Sequence, residues 1–390
     1  LYSLLHLTGY KKFSIEDLKN FRQLNSICAG HPEYKKDSGI ETTTGPLGQG
    51  LGNSVGLAVG EEIFRKKFGS KVINHKTYVI ASDGDLMEGL SHESMSLAGH
   101  LKLKNLIVFF DNNKISIDGS TSLSVSDNYK KRFESYGWNF IEVDGHNHKQ
   151  ISRAITKASK SNKPNIISCK TIIGFGSPNK SGKASSHGSP LGNDEITLVR
   201  KKLKWSHEPF EIPKNILSAW REIGNKGVIT EKKWSDNLNQ KNKKIKQDLE
   251  NVLNNNNLKQ LDKLIENEKE KYFKEKPSKA TRECSSMAIE VISKLLPELV
   301  GGSADLSGSN NTKTKNSTII SSKNFKGNYI HYGIREHGMS AAMNGLALYG
   351  GLIPYGGTFL IFSDYCKPSI RLSALMGLKV IYIFSHDSVG

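Results

Sequence analysis

The stretch that decides the fold is residues 77–115, TYVIASDGDLMEGLSHESMSLAGHLKLKNLIVFFDNNKI. Its opening run, TYVIAS, is short, apolar and β-branched, which is typical of a buried parallel strand. A helical pattern follows over residues 92–100, and the apolar run at 106–110 predicts a second strand. The stretch has the length of a strand–helix–strand crossover, and it therefore predicts an α/β fold.

Polar residues stand just past both predicted strands: Asp83 follows the first, and Asn113 follows the second thirty positions later. Because ligands of parallel sheets collect beyond the carboxyl ends of the strands, these two side chains are expected to share one ion. Magnesium prefers hard oxygens, so the Asp83 carboxylate, the Asn113 amide oxygen and the Ile115 carbonyl would combine with diphosphate oxygens and water. The spacing matches the Asp-Gly and Asn-Asn signature of thiamine diphosphate sites. The alternative is an ordinary turn at Asp83 followed by an unrelated polar loop.

The regions on either side continue the alternation of helices and strands. Residues 45–50, GPLGQG, lead into a small-residue helix that is predicted over 53–68. Residues 166–173 predict a further strand, which ends in a long loop rich in Gly, Ser and Lys at 174–194. Residues 206–279 carry Pro, Asn and Lys without strong apolar strands, and they predict a domain connection with some helix inside it.

A second α/β alternation follows this connection. Its pattern predicts a helix at 281–296 and strands at 299–302, 329–334 and 380–384. The expected fold class is α/β, with two doubly wound parallel-sheet domains. The predicted boundaries are a first domain at 1–215, a Lys/Asn-rich and partly helical connection at 216–279, and a second domain at 280–390.

Composition limits the classes of protein to be considered. The chain has 390 residues, 36% hydrophobic and 24% charged, and no apolar run approaches a membrane span, so no membrane association is expected. Its four cysteines, which have neither metal-ligand spacing nor disulfide density, favour a reducing, cytoplasmic setting. They are Cys28, Cys169, Cys284 and Cys366.

The formal charge of +17 raises the question of nucleic-acid binding. Much of the excess Lys is interspersed with Asn between residues 201 and 279, which is typical of solvated helix faces. We therefore predict no nucleic-acid partner. The sequence opens at Leu1 without an initiator Met and stops shortly after a predicted strand, so we expect it to be a piece cut at both ends.

Six motifs taken together resemble the transketolase family, which depends on thiamine diphosphate. They occur in the family's order and span nearly the whole chain, with the resemblance weakest from about 215 to 275. The motifs are GPLGQG at 45–50, SDGDLMEG at 82–89, CKTIIGFGSP at 169–178, GGSADL at 301–306, YIHYGIRE at 329–336 and HDS at 386–388.

The resemblance implies transfer of a two-carbon ketol group from a ketose phosphate, xylulose 5-phosphate, to ribose 5-phosphate or erythrose 4-phosphate in the pentose phosphate pathway. The implied cofactors are thiamine diphosphate and Mg²⁺, or Ca²⁺ or Mn²⁺ in its place. The implied assembly is a cytoplasmic homodimer with its active sites at the subunit interface, the first domain holding diphosphate and metal and the second holding the pyrimidine.

The resemblance also assigns roles to residues at matching positions. It implies that Glu336 protonates the aminopyrimidine nitrogen, whereas the residue alone would be read as a helix-start acid that offsets the helix dipole. Phe362 would pack on the pyrimidine, although such an aromatic stripe is more often core packing. The implied roles are catalytic for Glu336 and His187; cofactor binding for Gly45, Pro46, Leu47, Gly84, Asn113, His187 and Phe362; metal binding for Asp83, Asn113 and Ile115; substrate binding for His31, His187, Arg282, Ser309 and His386; and a proton relay across the dimer for Glu88.

One departure and two alternatives stand beside this hypothesis. Ser82 occupies the place of the signature's first Gly, and a small Ser is accepted there if the backbone needs no positive φ. The first alternative is another thiamine diphosphate enzyme, such as dihydroxyacetone synthase or deoxyxylulose phosphate synthase; the SADL segment at 303–306 speaks against the latter. The second is a non-catalytic, cofactor-binding subunit.

Overall fold

A computed structural model describes residues 1–240, 243–254 and 256–387 of the chain. The chain divides into two compact units that interleave along the sequence. The first comprises Leu1–Leu51, Tyr78–His92 and Lys104–Trp234, and the second Gly52–Thr77, Glu93–Leu103 and Ser235–Gly390. The linear domain boundaries expected from sequence stay a prediction.

The described residues form two four-stranded sheets with helices between the strands. The strands are β1 (Thr77–Ser82), β2 (Leu106–Asn112), β3 (Asn139–Asp144), β4 (Asn165–Lys170), β5 (Leu299–Ser303), β6 (Tyr329–His331), β7 (Ile353–Phe359) and β8 (Ile381–Ser385). The helices are α1 (Tyr2–Thr8), α2 (Ile15–Lys19), α3 (Gln49–Phe68), α4 (Asp83–Met87), α5 (Gly89–His100), α6 (Tyr129–Ser135), α7 (His148–Ser159), α8 (Asn193–Lys202), α9 (Lys214–Asn239), α10 (Lys243–Leu253), α11 (Leu261–Glu275), α12 (Thr281–Leu295), α13 (Glu336–Tyr349) and α14 (Ser363–Leu375).

The sheet of the first unit has the strand order β1-β2-β4-β3. Strand β4 pairs in parallel with both β2 and β3, so the α7 crossover returns the chain beside β2. Helix α7 begins after Asn147, whose side chain accepts from two main-chain N–H groups of the first turn. Its apolar face buries Ala154 and Ala158 against Ile107 and Ile167 of the sheet.

The sheet of the second unit has the order β6-β5-β7-β8, and every pair in it is parallel. Helix α12 covers this sheet and buries Ile289 against Leu299, Ile353 and Tyr355. Two parallel α/β sheets, each with helices on its face, confirm the predicted fold class.

Helices α3 and α13 approach each other closely within the second unit. A Cβ added to Gly56 would lie 1.9 Å from the carbonyl oxygen of Ala342, and one added to Gly345 would lie 1.9 Å from that of Asn53. Only glycine permits this backbone contact. It presses α13, whose first residue is Glu336, against the N-terminal half of α3.

Several predicted elements are present with altered bounds. The strand expected over 329–334 ends at His331, because Gly333 adopts φ +68°, outside the strand region. The strand expected over 166–173 ends at Lys170. The region 206–279, predicted as a connection with some helix, is mainly helical, with α9, α10 and α11. Within the described part of the chain, no helix is both long and apolar enough to cross a membrane.

Candidate functional site

The junction between β1 and α4 places Asp83 at the start of a helix. Ser82 is the N-cap: its hydroxyl accepts from the Asp85 N–H at 3.3 Å, and the Asp85 carboxylate accepts from the Ser82 N–H at 2.8 Å. Ser82 has φ −103°, so the backbone needs no positive φ there. Serine in place of the signature's glycine is therefore accommodated, and it adds the cap.

The Asp83 carboxylate is buried, with 2% of the residue exposed. Its Oδ2 accepts from the Lys114 N–H at 3.2 Å, which brings the loop after β2 against the loop after β1. Its Oδ1 is buried and has no hydrogen-bond partner among the described residues. Lys114 has φ +60°, and this left-handed turn aims its N–H at Asp83.

The other two predicted metal ligands lie in that same loop. The Asn113 side-chain oxygen accepts from the Ile115 N–H at 2.9 Å, and its amide nitrogen donates to Asp111 at 3.3 Å. Ile115 faces Ser120 in an antiparallel bridge whose hydrogen bonds run from Ser116 to Gly119 and from Thr121 to Lys114, so the Ile115 carbonyl takes no part in that ladder.

The electrostatics around Asp83 favour a cation. Burial raises the pKa of its carboxyl, and the charge of nearby Asp111 adds to that rise. The main-chain N–H groups of Lys114 and Asn113 and the Lys114 charge oppose it. A bound divalent cation would reverse this balance and hold the carboxylate ionised. A buried carboxylate oxygen without a partner, an amide oxygen and a carbonyl outside its ladder form a hard-oxygen set that fits magnesium.

The GPLGQG turn packs on the same helix. The Gly48 N–H donates to Asp85 Oδ1 at 2.9 Å, and Gly48 holds φ +78° to do so. Leu47 lies over Gly84, where an added Cβ would stand 3.1 Å from its Cδ1. The structure thus brings Leu47 and Gly84, two predicted cofactor contacts, together beside Asp83.

Two further predicted residues border this turn. The ring of His31 packs on Gly45, where an added Cβ would stand 2.9 Å from Cγ of the imidazole. Glu88 lies against Gly48, with its Cβ 3.1 Å from where a Gly48 Cβ would be. Pro46 belongs to the same turn, and its carbonyl accepts from the Gln49 N–H at 3.3 Å.

A cavity of about 610 Å³ adjoins this cluster, and Asp83, Lys114 and Tyr129 are part of its wall. The Tyr129 hydroxyl is buried and has no hydrogen-bond partner among the described residues. The Arg132 guanidinium lies 4.9 Å from the centre of the Tyr129 ring and donates to the Leu86 carbonyl at 2.9 Å. Arg132 therefore ties α6 to α4, the helix that carries Asp83.

His187 lies apart from these residues in the loop between β4 and α8. It follows the 3₁₀ turn Ala184–Ser186, and its N–H donates to the Ala184 carbonyl at 2.8 Å. The residue is exposed. The structure describes no contact from its side chain to the Asp83 cluster, so its predicted role stays a prediction.

Glu336 lies in the second unit as the first residue of α13 and is buried, with 9% exposed. Its Oε1 accepts from the Thr358 hydroxyl at 3.4 Å, and its carbonyl accepts from Ser340 at 2.9 Å. Arg335 precedes it and donates to the Tyr332 carbonyl at 2.9 Å. Glu336 is both buried and the first residue of a helix. The geometry is therefore compatible with an acid that protonates the cofactor and with an acid that only offsets the helix dipole.

Glu93 is a candidate functional residue that the sequence reasoning did not select. Its Oε2 accepts from the Gly338 N–H at 2.7 Å, which satisfies a free donor of the first turn of α13. Burial raises the pKa of the Glu93 carboxyl, the Gly338 hydrogen bond opposes that rise, and nearby Glu336 adds to it. The 245 positions between Glu93 and Gly338 explain why no local pattern indicated the pair.

Two predicted substrate residues meet in the second unit. Arg282 at the start of α12 and His386 after β8 lie 2.7 Å apart, from Nη1 to Nε2. His386 also packs edge-on against Phe359, with ring centres 5.4 Å apart, and Phe359 stacks on Phe362 at 6.0 Å. The predicted pyrimidine contact therefore shares an aromatic cluster with the predicted substrate residues.

Ser309 lies on an exposed turn after β5 that buried hydrogen bonds hold in shape. The Ser303 hydroxyl accepts from the Asn310 amide at 3.2 Å, and the Thr312 hydroxyl bonds the Asn310 side-chain oxygen at 2.9 Å. The Tyr329 hydroxyl lies 2.9 Å from that of Thr312. These bonds fix the turn, and the structure describes no bond from Ser309 to Arg282 or His386.

Two family models match this chain. The model described as "Transketolase, thiamine diphosphate binding domain" matches residues 1–260, and that described as "Transketolase, pyrimidine binding domain" matches residues 277–390. The chain belongs to the transketolase family. These two matches confirm the resemblance to transketolases, and the membership among thiamine diphosphate enzymes, that the motifs predicted.

Named transketolases are similar over the full length of the chain. A transketolase of Sinorhizobium medicae is 48% identical over 392 residues, covering 100% of this chain and 56% of the relative. One of Buchnera aphidicola is 49% identical over 398 residues, covering 100% of this chain and 59% of the relative. The chain thus spans somewhat more than half the length of these transketolases.

Solved transketolase structures share the fold. The Campylobacter jejuni transketolase is 40% identical with a TM-score of 0.91, covering 99% of this chain and 59% of that one. A Pichia stipitis transketolase in complex with sedoheptulose-7-phosphate is 38% identical with a TM-score of 0.91, covering 100% of this chain and 59% of that one. A structure of Pichia stipitis transketolase mutants in complex with xylulose-5-phosphate is 38% identical with a TM-score of 0.91, covering 99% of this chain and 59% of that one.

Proposed function

We propose that the protein is a transketolase that moves a two-carbon ketol group from xylulose 5-phosphate to ribose 5-phosphate or erythrose 4-phosphate, in the pentose phosphate pathway. The observation that carries the proposal is the buried Asp83 oxygen without a partner, next to the Asn113–Ile115 loop, in a chain of this family. The sugar phosphates bound by Pichia stipitis transketolase support this substrate class.

In this proposal the first unit holds thiamine diphosphate and Mg²⁺, or Ca²⁺ or Mn²⁺. Asp83, Asn113 and the Ile115 carbonyl hold the metal, and the turn at Gly45, Pro46 and Leu47 packs with Gly84 beside the diphosphate. The absence of side chains at glycine lets main-chain N–H groups approach phosphate closely. When bound, the cofactor would supply a nucleophilic carbon and an electron sink for the carbon–carbon bond chemistry.

Glu336 is proposed to hold a proton at the aminopyrimidine nitrogen. Its carboxyl is 9% exposed and accepts from the Thr358 hydroxyl at Oε1, so the group is fixed in place and shielded from water. Glu93 stands nearby and shares the same buried region. Phe362 is proposed to pack on the pyrimidine ring, with Phe359 behind it.

The polar groups suit a phosphorylated polyol. Arg282 with Ser309 would hold the phosphate through a guanidinium and a hydroxyl, and His386 is held beside Arg282 to donate to a sugar oxygen. His31 and His187 are proposed to contact the sugar and, for His187, the diphosphate and a transferred proton. Glu88 is proposed to relay a proton between the two sites of a cytoplasmic homodimer.

A coupled assay of the intact protein tests the function. With xylulose 5-phosphate, ribose 5-phosphate, thiamine diphosphate and Mg²⁺, it should form sedoheptulose 7-phosphate, and light scattering on the same sample should give a dimer. Cofactor binding without this product would favour a non-catalytic subunit. Efficient use of formaldehyde in place of the aldose phosphate would favour dihydroxyacetone synthase.

Glu336→Gln gives a sharper expectation in the same assay. The amide cannot exchange the proton, so kcat should fall by about 10²–10⁴-fold, as is usual when a general acid–base group is lost. Thiamine diphosphate affinity should change far less than kcat. Asp364→Asn, an exposed carboxylate at the start of α14, is the control and should keep full activity. Undiminished kcat in Glu336→Gln would remove Glu336 from the proton path.

A further inference from the structure

We propose that Glu195 is a positioning residue for the active-site loop: its carboxylate anchors residues 177–191 and thereby sets the place of His187. The role rests on the proposed function, because His187 is assigned to the cofactor and sugar there. The anchoring itself is a matter of contacts within the first unit. Each contact joins Glu195 to the loop or one part of the loop to another.

The anchor is a buried carboxylate with three donors. Glu195 lies in the first turn of α8 and is 7% exposed. Its Oε1 accepts from the buried Ser177 hydroxyl and from the Asn179 N–H at 2.8 Å. Its Oε2 accepts from the Asn179 side-chain amide at 2.9 Å. Both oxygens of the carboxylate are therefore committed to the base of the loop.

The contacts continue from that base to both sides of His187. The Ser177 hydroxyl accepts from the Lys180 N–H at 3.0 Å. The Lys180 carbonyl accepts from the Ser186 hydroxyl at 2.6 Å, directly before His187. The Lys180 ammonium donates to the Leu191 carbonyl at 2.8 Å, beyond His187. Lys180 thus spans the tip, and Glu195 fixes the segment to which Lys180 belongs.

Apart from these contacts, the segment around His187 is held, among the described residues, by local main-chain bonds such as that from the His187 N–H to the Ala184 carbonyl. His187 and its three following residues are exposed, and Gly188 and Gly192 adopt φ +69° and +86°. Both glycines follow His187 and have no side chain to pack the segment in place, and lids over active sites often have small residues at their hinges. The anchor therefore decides how far the position of His187 varies.

The simpler interpretation is that Glu195 only offsets the dipole of α8. Asp194 shares the first turn of α8 and is exposed, so it would contribute the same helix-dipole effect without the loop contacts. The hydrogen bonds from Ser177 and Asn179 lower the pKa of Glu195 to about 2, with a further contribution from Lys180. The anchor stays ionised throughout the neutral range.

Hydrogen exchange of the intact protein, compared among variants, tests the anchor. Glu195→Ala should speed amide exchange in residues 177–191 at least about tenfold, because it removes charge-assisted bonds. Exchange in β2 and β4 should be unchanged, and so should the loop in the control Asp194→Ala. Glu195→Gln retains an acceptor for Ser177 and the Asn179 N–H, and it should restore part of the protection.

Kinetics give a second measure. Glu195→Ala should raise KM for the ketose phosphate and the cofactor concentration needed for half-activity more than it lowers kcat at saturation, because the loop must first be ordered. Lys180→Met is the alternative variant if Glu195→Ala destabilises the whole unit. In Lys180→Met, amide hydrogen exchange should rise only around residues 186–191. Unchanged loop exchange in both variants would overturn the proposal. Lack of ketol transfer by the wild-type protein would instead contradict the proposed function. It would not affect the hydrogen-exchange evidence that Glu195 anchors the loop.

Discussion

At the scale of single residues, neighbouring side chains at the end of β1 have different roles: some stabilise the next helix and one is available for a ligand. Ser82 and Asp85 satisfy each other's donors and stabilise the start of α4. Asp83, between them, has a buried oxygen without a partner among the described residues. A buried carboxylate that is only partly compensated costs stability, and the proposed cation would offset that cost.

That cost predicts the behaviour of Asp83→Asn in protein freed of metal. Removing the buried charge should raise the free energy of unfolding by about 0.5–2 kcal/mol, the usual range for relieving a functional site. Thermal unfolding with chelator measures this. The control Asp118→Asn, exposed in the same loop, should change it by less than about 0.5 kcal/mol. A clear loss of stability in metal-free Asp83→Asn would mean that the carboxylate is structural.

The lowered pKa of Glu195 predicts that the order of the loop at residues 177–191 depends on pH. Its pKa is lowered in the folded protein to about 2 from an ordinary value of 4.5. The anchoring energy is therefore fully present above about 4.5 and is lost as pH falls from there towards about 2. Protease cleavage within residues 177–191 should accelerate over that interval in the wild type and much less in Glu195→Gln. Equal pH profiles for the two proteins would contradict the assignment.

Residues in contiguous motifs were the predictable part of the candidate site. The predicted metal and diphosphate residues lie in short segments that their spacing makes recognisable in the sequence. The structure brings these segments together: Asp83, Asn113 and the GPLGQG turn. Glu93 and Glu195 could not be selected in this way. Their partners are supplied by tertiary contacts, Gly338 for Glu93 and the loop base for Glu195, and a lone helical Glu gives no local signal.

At the scale of elements, six of the eight strands in the described residues were predicted, including β5, LVGGS, whereas β3, NFIEVD, and β7 were missed. Strand β7, IPYGGTF, contains a proline and two glycines and was missed, because such residues are poor strand formers. It is nevertheless a central strand between β5 and β8. A Cβ on Gly356 would lie 2.6 Å from the Met343 sulfur, so packing by α13 demands the glycine that local propensity disfavours.

The contact between α3 and α13 gives the prediction at this scale. Alanine normally stabilises a helix interior relative to glycine, yet Gly56→Ala would force a Cβ to 1.9 Å from the Ala342 carbonyl oxygen. We expect it to lower the free energy of unfolding by at least about 1–3 kcal/mol. In α9, a Cβ on Gly227 would meet nothing within 4 Å, so Gly227→Ala should stabilise by about 0.5–1 kcal/mol. Chemical denaturation of both variants checks the pair, and equal effects would refute the close approach.

At the scale of the whole molecule, the two units divide the proposed chemistry. The first carries the residues proposed for the metal and the diphosphate, and the second carries Glu336, Phe362 and the Arg282–His386 pair. The fold class was predictable because both units repeat one strand–helix–strand pattern. The interleaving of the two units along the chain was not predictable. Most of α3 and of α5 belongs to the second unit, although both helices lie among segments of the first unit in the sequence.

Calorimetric titration of thiamine diphosphate into the intact protein, with and without Mg²⁺, is the most direct test of the proposed metal site at Asp83. The wild type and Asp118→Asn should bind tightly only with the metal. Asp83→Asn should bind at least about tenfold more weakly and lose the dependence on Mg²⁺, because changes around a metal cost about 10–100-fold even outside the ligand set. Wild-type affinity and wild-type metal dependence in Asp83→Asn would contradict the site.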